Sequence, residues 1–239
     1  MDSLVRDNFG ILIQARMSSN RLPGKSLMNL TNTLKVIDSV YLRCSKSILN
    51  KKIIFCISES TEDDALNDYL IKKSYKTFRG SENNLVKRFH DACKINSLSS
   101  FIRVTGDNPL VDPEIIDYFA SLSPNKDFID GFSPKKLPNG TIVSRISFKL
   151  LKFLLENEKN HEHLEHVVTS TLISSRVVPN IKKEWISPKT RYCIDYNEDY
   201  LFLKKLFKIE NILESNTEQL ISIYKTLEPE NINIALKGY

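Results

Sequence analysis

The chain has 239 residues, of which 41% are hydrophobic and 26% are charged, and its formal net charge is +5. This length predicts a single domain with one sizeable core and room for a small appendage. The basic residues are scattered and match no nucleic-acid-binding module. The charge therefore favours phosphate-bearing ligands and argues against a dedicated DNA or RNA binder.

Two further classes are disfavoured by what the sequence lacks. The four cysteines form no CxxC pair, which indicates neither a disulfide framework nor a zinc knuckle. No apolar run approaches the roughly 20 residues of a membrane span, and residues 1–8 contain no apolar signal region. We therefore expect a soluble, cytoplasmic protein with reduced and mostly buried thiols.

Strand and helix patterns alternate through the first half of the chain. Strands are predicted at residues 9–14, 52–57, 75–79 and 101–104. Helices are predicted between them, from about residue 34, at residues 60–73 and at residues 84–95, and a further helix begins at residue 113. Ser60 and Asp63 resemble a capping box, and Asp112 is typical of an N-cap. The repeated units predict an α/β fold with a mostly parallel sheet.

The pattern changes near residue 125. Strands are predicted at residues 128–132 and 141–146, and the turn-rich stretch between them does not resemble a crossover helix. We expect an inserted subdomain at about residues 125–190 within a single domain of residues 1–239. Later helices are predicted at residues 148–157, 161–174, 198–209 and 217–227, and later strands at residues 176–181 and 192–194.

A cluster of cations follows the first predicted strand. Arg16, Arg21 and Lys25 lie beside a Pro-Gly turn, with hydroxyl and amide side chains at residues 18–20. Ligands of open α/β sheets bind beyond the carboxyl ends of the strands, so this loop is placed to wrap a triphosphate. It lacks the glycines of a Walker A loop or a dinucleotide fingerprint, which disfavours dinucleotide-dependent oxidoreductases. The alternative is an exposed basic loop without function.

Two aspartates follow other predicted strands. Asp107 comes after the strand at residues 101–104, and Asp195 after the strand at residues 192–194. Two acidic strand ends beside a triphosphate suit Mg²⁺, which prefers a few carboxylates, water and phosphate oxygens. The alternatives are that Asp107 shapes a turn and that Asp195 is the N-cap of the helix from residue 198.

The segment HEHLEH at residues 161–166 places His163 and His166 on one helical face. Its spacing is not that of HExxH, and no third ligand is identifiable. We therefore expect these side chains to face an acceptor or a subunit interface, with zinc binding as the lesser alternative.

Three stretches resemble one enzyme family: residues 11–25, FRGSE at residues 78–82 and RVTGDNPLVDPEIID at residues 103–117. Together they resemble the cytidylyltransferases of spore-coat polysaccharide biosynthesis. That family is related to the synthetases that activate 3-deoxy-manno-octulosonate and acylneuraminate as CMP esters. The resemblance resumes at residues 165–167 and around Asp195. It implies a Rossmann-like three-layer α/β/α sandwich and a homodimer paired through the inserted subdomain.

The resemblance also implies roles for individual residues. Arg16 and Lys25 match positions that contact the nucleotide phosphates, while Asp107 and Asp195 match the two aspartates that bind the metal, expected to be Mg²⁺. Arg16, Lys25 and Asp107 are the expected catalytic residues. The expected nucleotide-binding residues are Ala15, Arg16, Ser18, Arg21, Lys25, Ser58, Arg79 and Gly80.

The sequence departs from the family pattern at residues 139–147. Ile142 and Ser144 replace carboxylates there, and Arg145 lies nearby. An arginine at this position is suited to an anionic substrate, so we expect Arg145 to contact the acceptor together with Glu165 and His166.

The expected function is nucleotidyl transfer, in which an acceptor oxygen attacks the α-phosphorus of CTP and pyrophosphate leaves. The acceptor is expected to be a sugar acid, giving a CMP ester, or a sugar or polyol phosphate, giving a CDP derivative, in surface-polysaccharide biosynthesis. One alternative is a glycosyltransferase of GT-A type, which is disfavoured because the chain has no DxD metal motif. The other is a nucleotide-binding module that has lost turnover.

Overall fold

The computed structural model describes residues 8–123, 125–133, 135–157 and 176–227. The seven strands in these ranges are β1 (Phe9–Gln14), β2 (Ile53–Ser58), β3 (Thr77–Gly80), β4 (Ser100–Thr105), β5 (Phe128–Ile129), β6 (Ser144–Ser147) and β7 (Arg176–Val177). The seven helices longer than a single turn in the same ranges are α1 (Val36–Cys44), α2 (Asp64–Lys72), α3 (Leu85–Ile95), α4 (Pro113–Ser121), α5 (Phe148–Asn157), α6 (Asn197–Leu206) and α7 (Thr217–Thr226).

All the described strands belong to one sheet, with the order β3-β2-β1-β4-β6-β5-β7. β1 pairs in parallel with both β2 and β4, and β2 pairs in parallel with β3. β6 is antiparallel to β4 and β5, while β7 is parallel to β5. The predicted mostly parallel sheet is confirmed. The strand order reverses between β1 and β4, and ligands of such sheets bind beyond the strand ends at this point.

Hydrophobic side chains alternate along β1 and give the sheet two apolar faces. Ile11 and Ile13 belong to one face and Leu12 to the other, because successive strand residues point to opposite sides. Helices α1, α2 and α4 cover the first face, and α3 and α5 cover the second. The chain therefore forms the predicted three-layer α/β/α sandwich.

A third apolar cluster packs α6 and α7 against residues 192–194. Tyr192 and Ile194 are completely buried among side chains that include Leu203, Leu206 and Leu220. Residues 192–194 were predicted to be a strand, and that prediction is wrong. Their backbone pairs instead with single loop residues: Tyr192 N donates to Asn139 O at 2.6 Å and Ile194 N to Asp107 O at 3.0 Å.

The expected capping box at Ser60 does not form. A short 3-10 helix at Thr61–Asp63 precedes α2, and the Ser60 side chain makes no capping hydrogen bond. The Asp63 carboxylate instead accepts hydrogen bonds from Ser58 and from the backbone N–H of Met17. Asp63 therefore binds Met17, which is 46 residues away in sequence, instead of Ser60.

The region predicted to be an inserted subdomain contributes β5, β6 and β7 to the same sheet. The predicted helix at residues 161–174 lies outside the described residues, so the subdomain stays a prediction.

All four cysteines are buried and free of disulfides, and burial raises the pKa of the Cys93 thiol to about 12. No helix in the described ranges combines the length and apolar character needed to cross a membrane.

Asp112 links the start of α4 to the start of α7. Its buried carboxylate caps α4 by accepting from Glu114 N at 2.9 Å, as the sequence predicted. The other carboxylate oxygen accepts from both Thr217 N and Thr217 Oγ1 at 2.5 Å. One side chain therefore satisfies donors at the ends of two helices that are distant in sequence.

Asp112→Ala is expected to lower the free energy of unfolding by about 3 kcal/mol, because the cap is lost and two buried donors of Thr217 are left unsatisfied. Urea unfolding of the purified protein measures this. Glu114→Ala, an exposed change in the same helical turn, is the control and is expected to cost less than about 0.5 kcal/mol. A loss below about 1 kcal/mol for Asp112→Ala would mean that the link contributes little.

Candidate active site

The loop after β1 curls back on itself at the carboxyl edge of the sheet. The backbone N–H groups of Ser19 and Gly24 donate to the carbonyl of Met17 at 2.9 and 3.0 Å. Gly24 has a φ of +73°, a conformation that favours glycine, and it precedes a short 3-10 helix at Lys25–Leu27. The turn directs Lys25 inward, where its side chain is only 9% exposed.

The other candidate residues of this loop remain accessible. Arg16 and Arg21 are exposed, and Ser18 is half-buried. The Arg21 guanidinium lies 5.4 Å from the ring centroid of Tyr196. Asp63 anchors the loop beneath them, since its carboxylate accepts from Met17 N at 2.6 Å and from Ser58 Oγ at 2.5 Å. The loop is therefore fixed at its base and open to a ligand at its cationic side chains.

Lys25 brings together the two aspartates that the sequence singled out. Its Nζ donates to Asp107 Oδ2 at 2.6 Å, to Asp195 Oδ1 at 3.3 Å and to the carbonyl of Ile194 at 2.6 Å. Burial lowers the pKa of the Lys25 ammonium, but the charge of Asp107 and its hydrogen bond, together with Asp195, outweigh this effect and raise the pKa overall. Lys25 is therefore a charged group between two carboxylates.

Asp195 receives cations on both carboxylate oxygens. Arg21 approaches Oδ1 at 2.5 Å and Arg191 approaches Oδ2 at 2.7 Å, in addition to Lys25. Burial raises the pKa of the Asp195 carboxyl, but Lys25, Arg191 and Arg21 outweigh it, and the pKa is lowered. Asp195 is thus an ionised carboxylate at the same edge of the sheet as Asp107.

Asp199 holds the segment that carries Asp195. It accepts from the backbone N–H groups of Asp195 and Tyr196, both at 2.9 Å, and from Arg191 Nε at 2.8 Å. The N-cap residue of α6 is Tyr196, whose backbone N–H donates to Asp199, so the alternative of Asp195 as the N-cap is wrong. Asp199 and Arg191 together fix one side of Asp195.

The predicted base and ribose side lies at the ends of β2 and β3. Ser58 ends β2, and its Oγ donates to Asp63. Arg79 Nε donates to Ser58 O at 3.1 Å, and its guanidinium also pairs with Asp64 at 2.7 Å. Gly80 O accepts from Glu59 N at 2.9 Å. These hydrogen bonds connect the ends of β2 and β3, and the backbone there forms a wall at this side of the site.

Ala15 lies between this wall and the end of β4. Its methyl group packs so closely on Gly106 that a Cβ at residue 106 would lie 2.8 Å from the Ala15 Cβ. The expected nucleotide-binding residues therefore all lie on the carboxyl edge of the sheet, on the loop after β1 and at the ends of β2 and β3.

Arg145 has a different role from the acceptor contact that the sequence predicted. It is 2% exposed, and its guanidinium donates to the backbone carbonyls of Ala120, Leu122, Ser123 and Lys126. Burial lowers its pKa to about 10. Arg145 therefore holds the turn after α4, and the prediction that it contacts the acceptor is wrong. Glu165 and His166 lie outside the described residues.

A cavity of about 520 Å³ opens beside Asp107 and Asp195. Its lining combines cationic, polar and apolar side chains: Arg21, Lys135, Lys189, Arg191, Thr105, Asn108, Asn139, Thr190, Phe132, Leu137 and Ile142, with Asp107 and Asp195 at one part of the wall. Ile142, where the resemblance leads one to expect a carboxylate, is one of these lining residues. This volume lies in the range of ~300–1,000 Å³ that small-molecule sites occupy.

Two paired backbone segments form much of the cavity wall. Asn139 N donates to Thr190 O at 2.9 Å, and Ser187 N donates to Lys136 O at 2.9 Å. Gly140 has a φ of +102°, and a Cβ there would lie 2.6 Å from Cys193 N. Only glycine lets these segments approach so closely, so the wall depends on this residue.

Sequence reasoning missed several residues of this site. Arg191 and Asp199 are spaced four residues on either side of Asp195, and that regular spacing was a usable signal. Asp63 was assigned to a local capping box. Lys135 and Lys189 carried no signal, because two exposed lysines in separate loops look like ordinary surface residues.

A strand-order switch with a basic loop on one side and two acids on the other fits a nucleotidyltransferase. A profile of the cytidylyltransferase family matches residues 10–226. The chain belongs to this family and is a nucleotidyltransferase.

Individual relatives agree with this assignment. The spore coat polysaccharide biosynthesis protein SpsF of Bacillus subtilis is 29% identical over 205 residues, covering 82% of this chain and 85% of the relative. A cytidylyltransferase structure from Leptospira borgpetersenii has a TM-score of 0.83 and 28% identity, with 92% of this chain and 94% of that chain covered. CMP:2-keto-3-deoxy-manno-octonic acid synthetase in complex with CTP shares the fold, with a TM-score of 0.61, 12% identity and coverage of 84% and 98%.

Asp195→Asn is expected to destabilise the protein by about 2 kcal/mol at pH 7, because Arg21, Lys25 and Arg191 each lose a charged carboxylate partner. The folded pKa of Asp195 lies below its ordinary value of 3.8, so its contribution is present above that pH and is lost as the pH falls through the folded pKa. Urea unfolding between pH 7 and pH 3 measures the difference from the wild type. Asp68→Asn, an exposed change on α2, is the control; a difference that does not shrink in acid would contradict the assignment.

Proposed function

We propose that this enzyme transfers a CMP moiety from CTP to a sugar acid or to a sugar or polyol phosphate, with release of pyrophosphate. The observation that carries the proposal is the meeting of Lys25, Asp107 and Asp195 beside the cavity. CTP as donor is supported by the CTP complex of the octonic acid synthetase. A role in surface-polysaccharide biosynthesis is supported by the relative named for that process.

In this proposal Asp107 and Asp195 hold Mg²⁺. The donor set fits, because both residues offer carboxylate oxygens and both lie within hydrogen-bonding distance of one nitrogen. When bound, the ion supplies neutralisation of charge on the phosphate oxygens. The contribution of the chain is to hold the two carboxylates together, through the end of β4 for Asp107 and through Arg191 and Asp199 for Asp195.

The loop after β1 that carries Arg16, Arg21 and Lys25, here called the cationic loop, binds the phosphates. An acceptor oxygen attacks the α-phosphorus in line, so that a new phosphorus–oxygen bond forms while the bond to pyrophosphate breaks. Arg16, Arg21 and Lys25 stabilise the charge that develops on the leaving pyrophosphate. Ser18 of the same loop donates a hydrogen bond to the phosphates. The backbone at Ala15, Ser58 and Gly80 lines the base and ribose.

The cavity binds the acceptor. Thr105, Asn108, Asn139 and Thr190 supply hydrogen bonds for sugar hydroxyls, and Phe132 with Ile142 supplies an apolar wall. The exposed lysines Lys135 and Lys189 have no carboxylate partner among the described ion pairs, so they meet an anionic group of the acceptor. Glu165 and His166 remain proposed acceptor contacts by resemblance.

Assembly and location are further parts of the proposal. A homodimer paired through residues 125–190 is carried over from the resemblance. A cytoplasmic location follows from the use of CTP as substrate. Neither nucleic acid nor a membrane is a proposed partner.

Asp107→Asn is expected to lower kcat by a factor of roughly 10² or more with folding retained, because a charged ligand beside the reacting phosphates is removed. The assay measures pyrophosphate release while crossing CTP, UTP, ATP and GTP with an ulosonic acid, a hexose phosphate and a polyol phosphate. Release is expected with CTP and at least one of these acceptors.

Asp68→Asn serves as the matched control, since it makes the same chemical change at an exposed position of α2. It is expected to leave kcat unchanged. Near-normal turnover of Asp107→Asn would overturn the metal assignment. CTP binding without pyrophosphate release with every acceptor would instead favour a module that has lost turnover.

Replacing both Lys135 and Lys189 with Met is expected to raise the acceptor KM roughly tenfold or more, because each charge-assisted hydrogen bond contributes about 1.5–3 kcal/mol. The KM for CTP is expected to stay the same. Lys136→Met is the matched control: the residue is an exposed lysine of the same loop, and its side chain is not among those that line the cavity. An equal rise in KM for the control, or none for the double variant, would contradict this assignment.

A further inference from the structure

The two carboxylate oxygens of Asp195 have different partners. Oδ2 accepts from Arg191, which Asp199 holds in place with a hydrogen bond of 2.8 Å. Oδ1 accepts from Arg21 and Lys25, both of which come from the cationic loop. One oxygen is therefore fixed by its own segment, while the other is held by residues that the proposed function assigns to the nucleotide phosphates.

Lys25 lies where a cation shared by Asp107 and Asp195 would have to bind. A lysine ammonium has three donors, and here they reach Asp107 Oδ2, Asp195 Oδ1 and the carbonyl of Ile194. The side chain of Lys25 is 9% exposed, whereas that of Arg21 is 54% exposed. Arg21 can move into solvent freely, so Lys25 is the group that a metal ion must displace.

A divalent cation that arrives alone meets two obstacles. It must take both carboxylates from Lys25, and it is repelled by an ammonium that has no further carboxylate partner among the described residues. A bound triphosphate removes both obstacles, because its oxygens offer Lys25 and Arg21 new anionic partners. The carboxylates are then free to accept the metal.

We propose that Lys25 acts as an internal counter-ion that keeps Asp107 and Asp195 from binding a divalent cation until a nucleoside triphosphate draws the ammonium away. The inference rests on the proposed function, because it takes the triphosphate as the ligand of the cationic loop. It adds that metal and nucleotide bind cooperatively, each raising the affinity for the other by the same factor. The enzyme thereby avoids holding a metal ion without its substrate.

Binding of Mn²⁺ to the nucleotide-free protein tests the inference without any turnover. Electron paramagnetic resonance measures the free ion during titration of the wild type, Lys25→Met, Lys25→Arg and Lys51→Met. Lys25→Met is expected to bind Mn²⁺ roughly tenfold or more tightly than the wild type, within the range of coupled sites. Lys25→Arg keeps the charge and is expected to bind it as weakly as the wild type.

Lys51→Met controls for the change in net charge. Lys51 is exposed in the turn before β2, at the amino ends of the strands and so at the opposite edge of the sheet. It is expected to leave Mn²⁺ affinity unchanged. Equal Mn²⁺ affinity of the wild type and a folded Lys25→Met would overturn the inference, as would an equal gain in the control.

Crystals of the wild type provide a second test that does not depend on the folding of a variant. Anomalous scattering is measured after soaking with Mn²⁺ alone and with Mn²⁺ plus CTP. A peak between Asp107 and Asp195 is expected only with CTP, and a peak with Mn²⁺ alone would overturn the inference. Failure of the wild type to bind CTP in calorimetry would instead overturn the proposed function, so the two failures are distinguishable.

Discussion

The ammonium of Lys25 joins three parts of the chain that are far apart in sequence. Its partners Asp107 and Asp195 lie 82 and 170 residues away. A nearly buried cation is tolerated only when charges and acceptors compensate for its desolvation, and Lys25 has such a partner for each of its donors. The cationic loop, the end of β4 and the segment before α6 therefore depend on one another for their positions.

The sheet makes this meeting possible. β1 and β4 are adjacent and parallel, and their final residues Gln14 and Thr105 pair with each other. The loops that follow therefore leave the sheet at the same level, one carrying Lys25 and the other Asp107. Asp195 reaches the same place by a different route, because residues 192–194 are buried against α6 and α7 and their last backbone N–H donates to Asp107.

The site combines fixed and exchangeable contacts. Asp63 fixes the base of the cationic loop, and Arg191 with Asp199 fixes Asp195, in each case through partly or fully buried hydrogen bonds. The guanidinium of Arg21 is largely exposed and free to exchange partners. This division suits the proposed function, in which the carboxylates stay in place while the cations change from carboxylate to phosphate partners.

The proposed acceptor cavity contains the position at which the sequence was expected to depart from the family pattern. Ile142, where the resemblance leads one to expect a carboxylate, lines this cavity together with the cationic Lys135 and Lys189. Arg145 was expected to contact the acceptor, but its guanidinium instead donates to four backbone carbonyls. The anionic acceptor of the proposed function therefore depends on residues that the sequence alone did not indicate.

The sequence by itself determined the elements whose signals are local. The run of β1, the helix cap at Asp112 and the periodicity of α5 depend on neighbouring residues, and the structure has each of them at the expected place. The sequence also marked Lys25, Asp107 and Asp195, because ligands of open α/β sheets bind beyond the ends of strands and these charged residues follow predicted strands.

Only the tertiary structure decided which partners these groups have. The role of Asp63, the burial of Arg145 and the pairing of residues 192–194 each depend on segments distant in sequence. Local patterns contain no information on such contacts, since the desolvation and pairing of a charge depend on what the fold brings beside it. The amino-acid sequence therefore specified the chemical groups of the site, and the fold determined how they are combined.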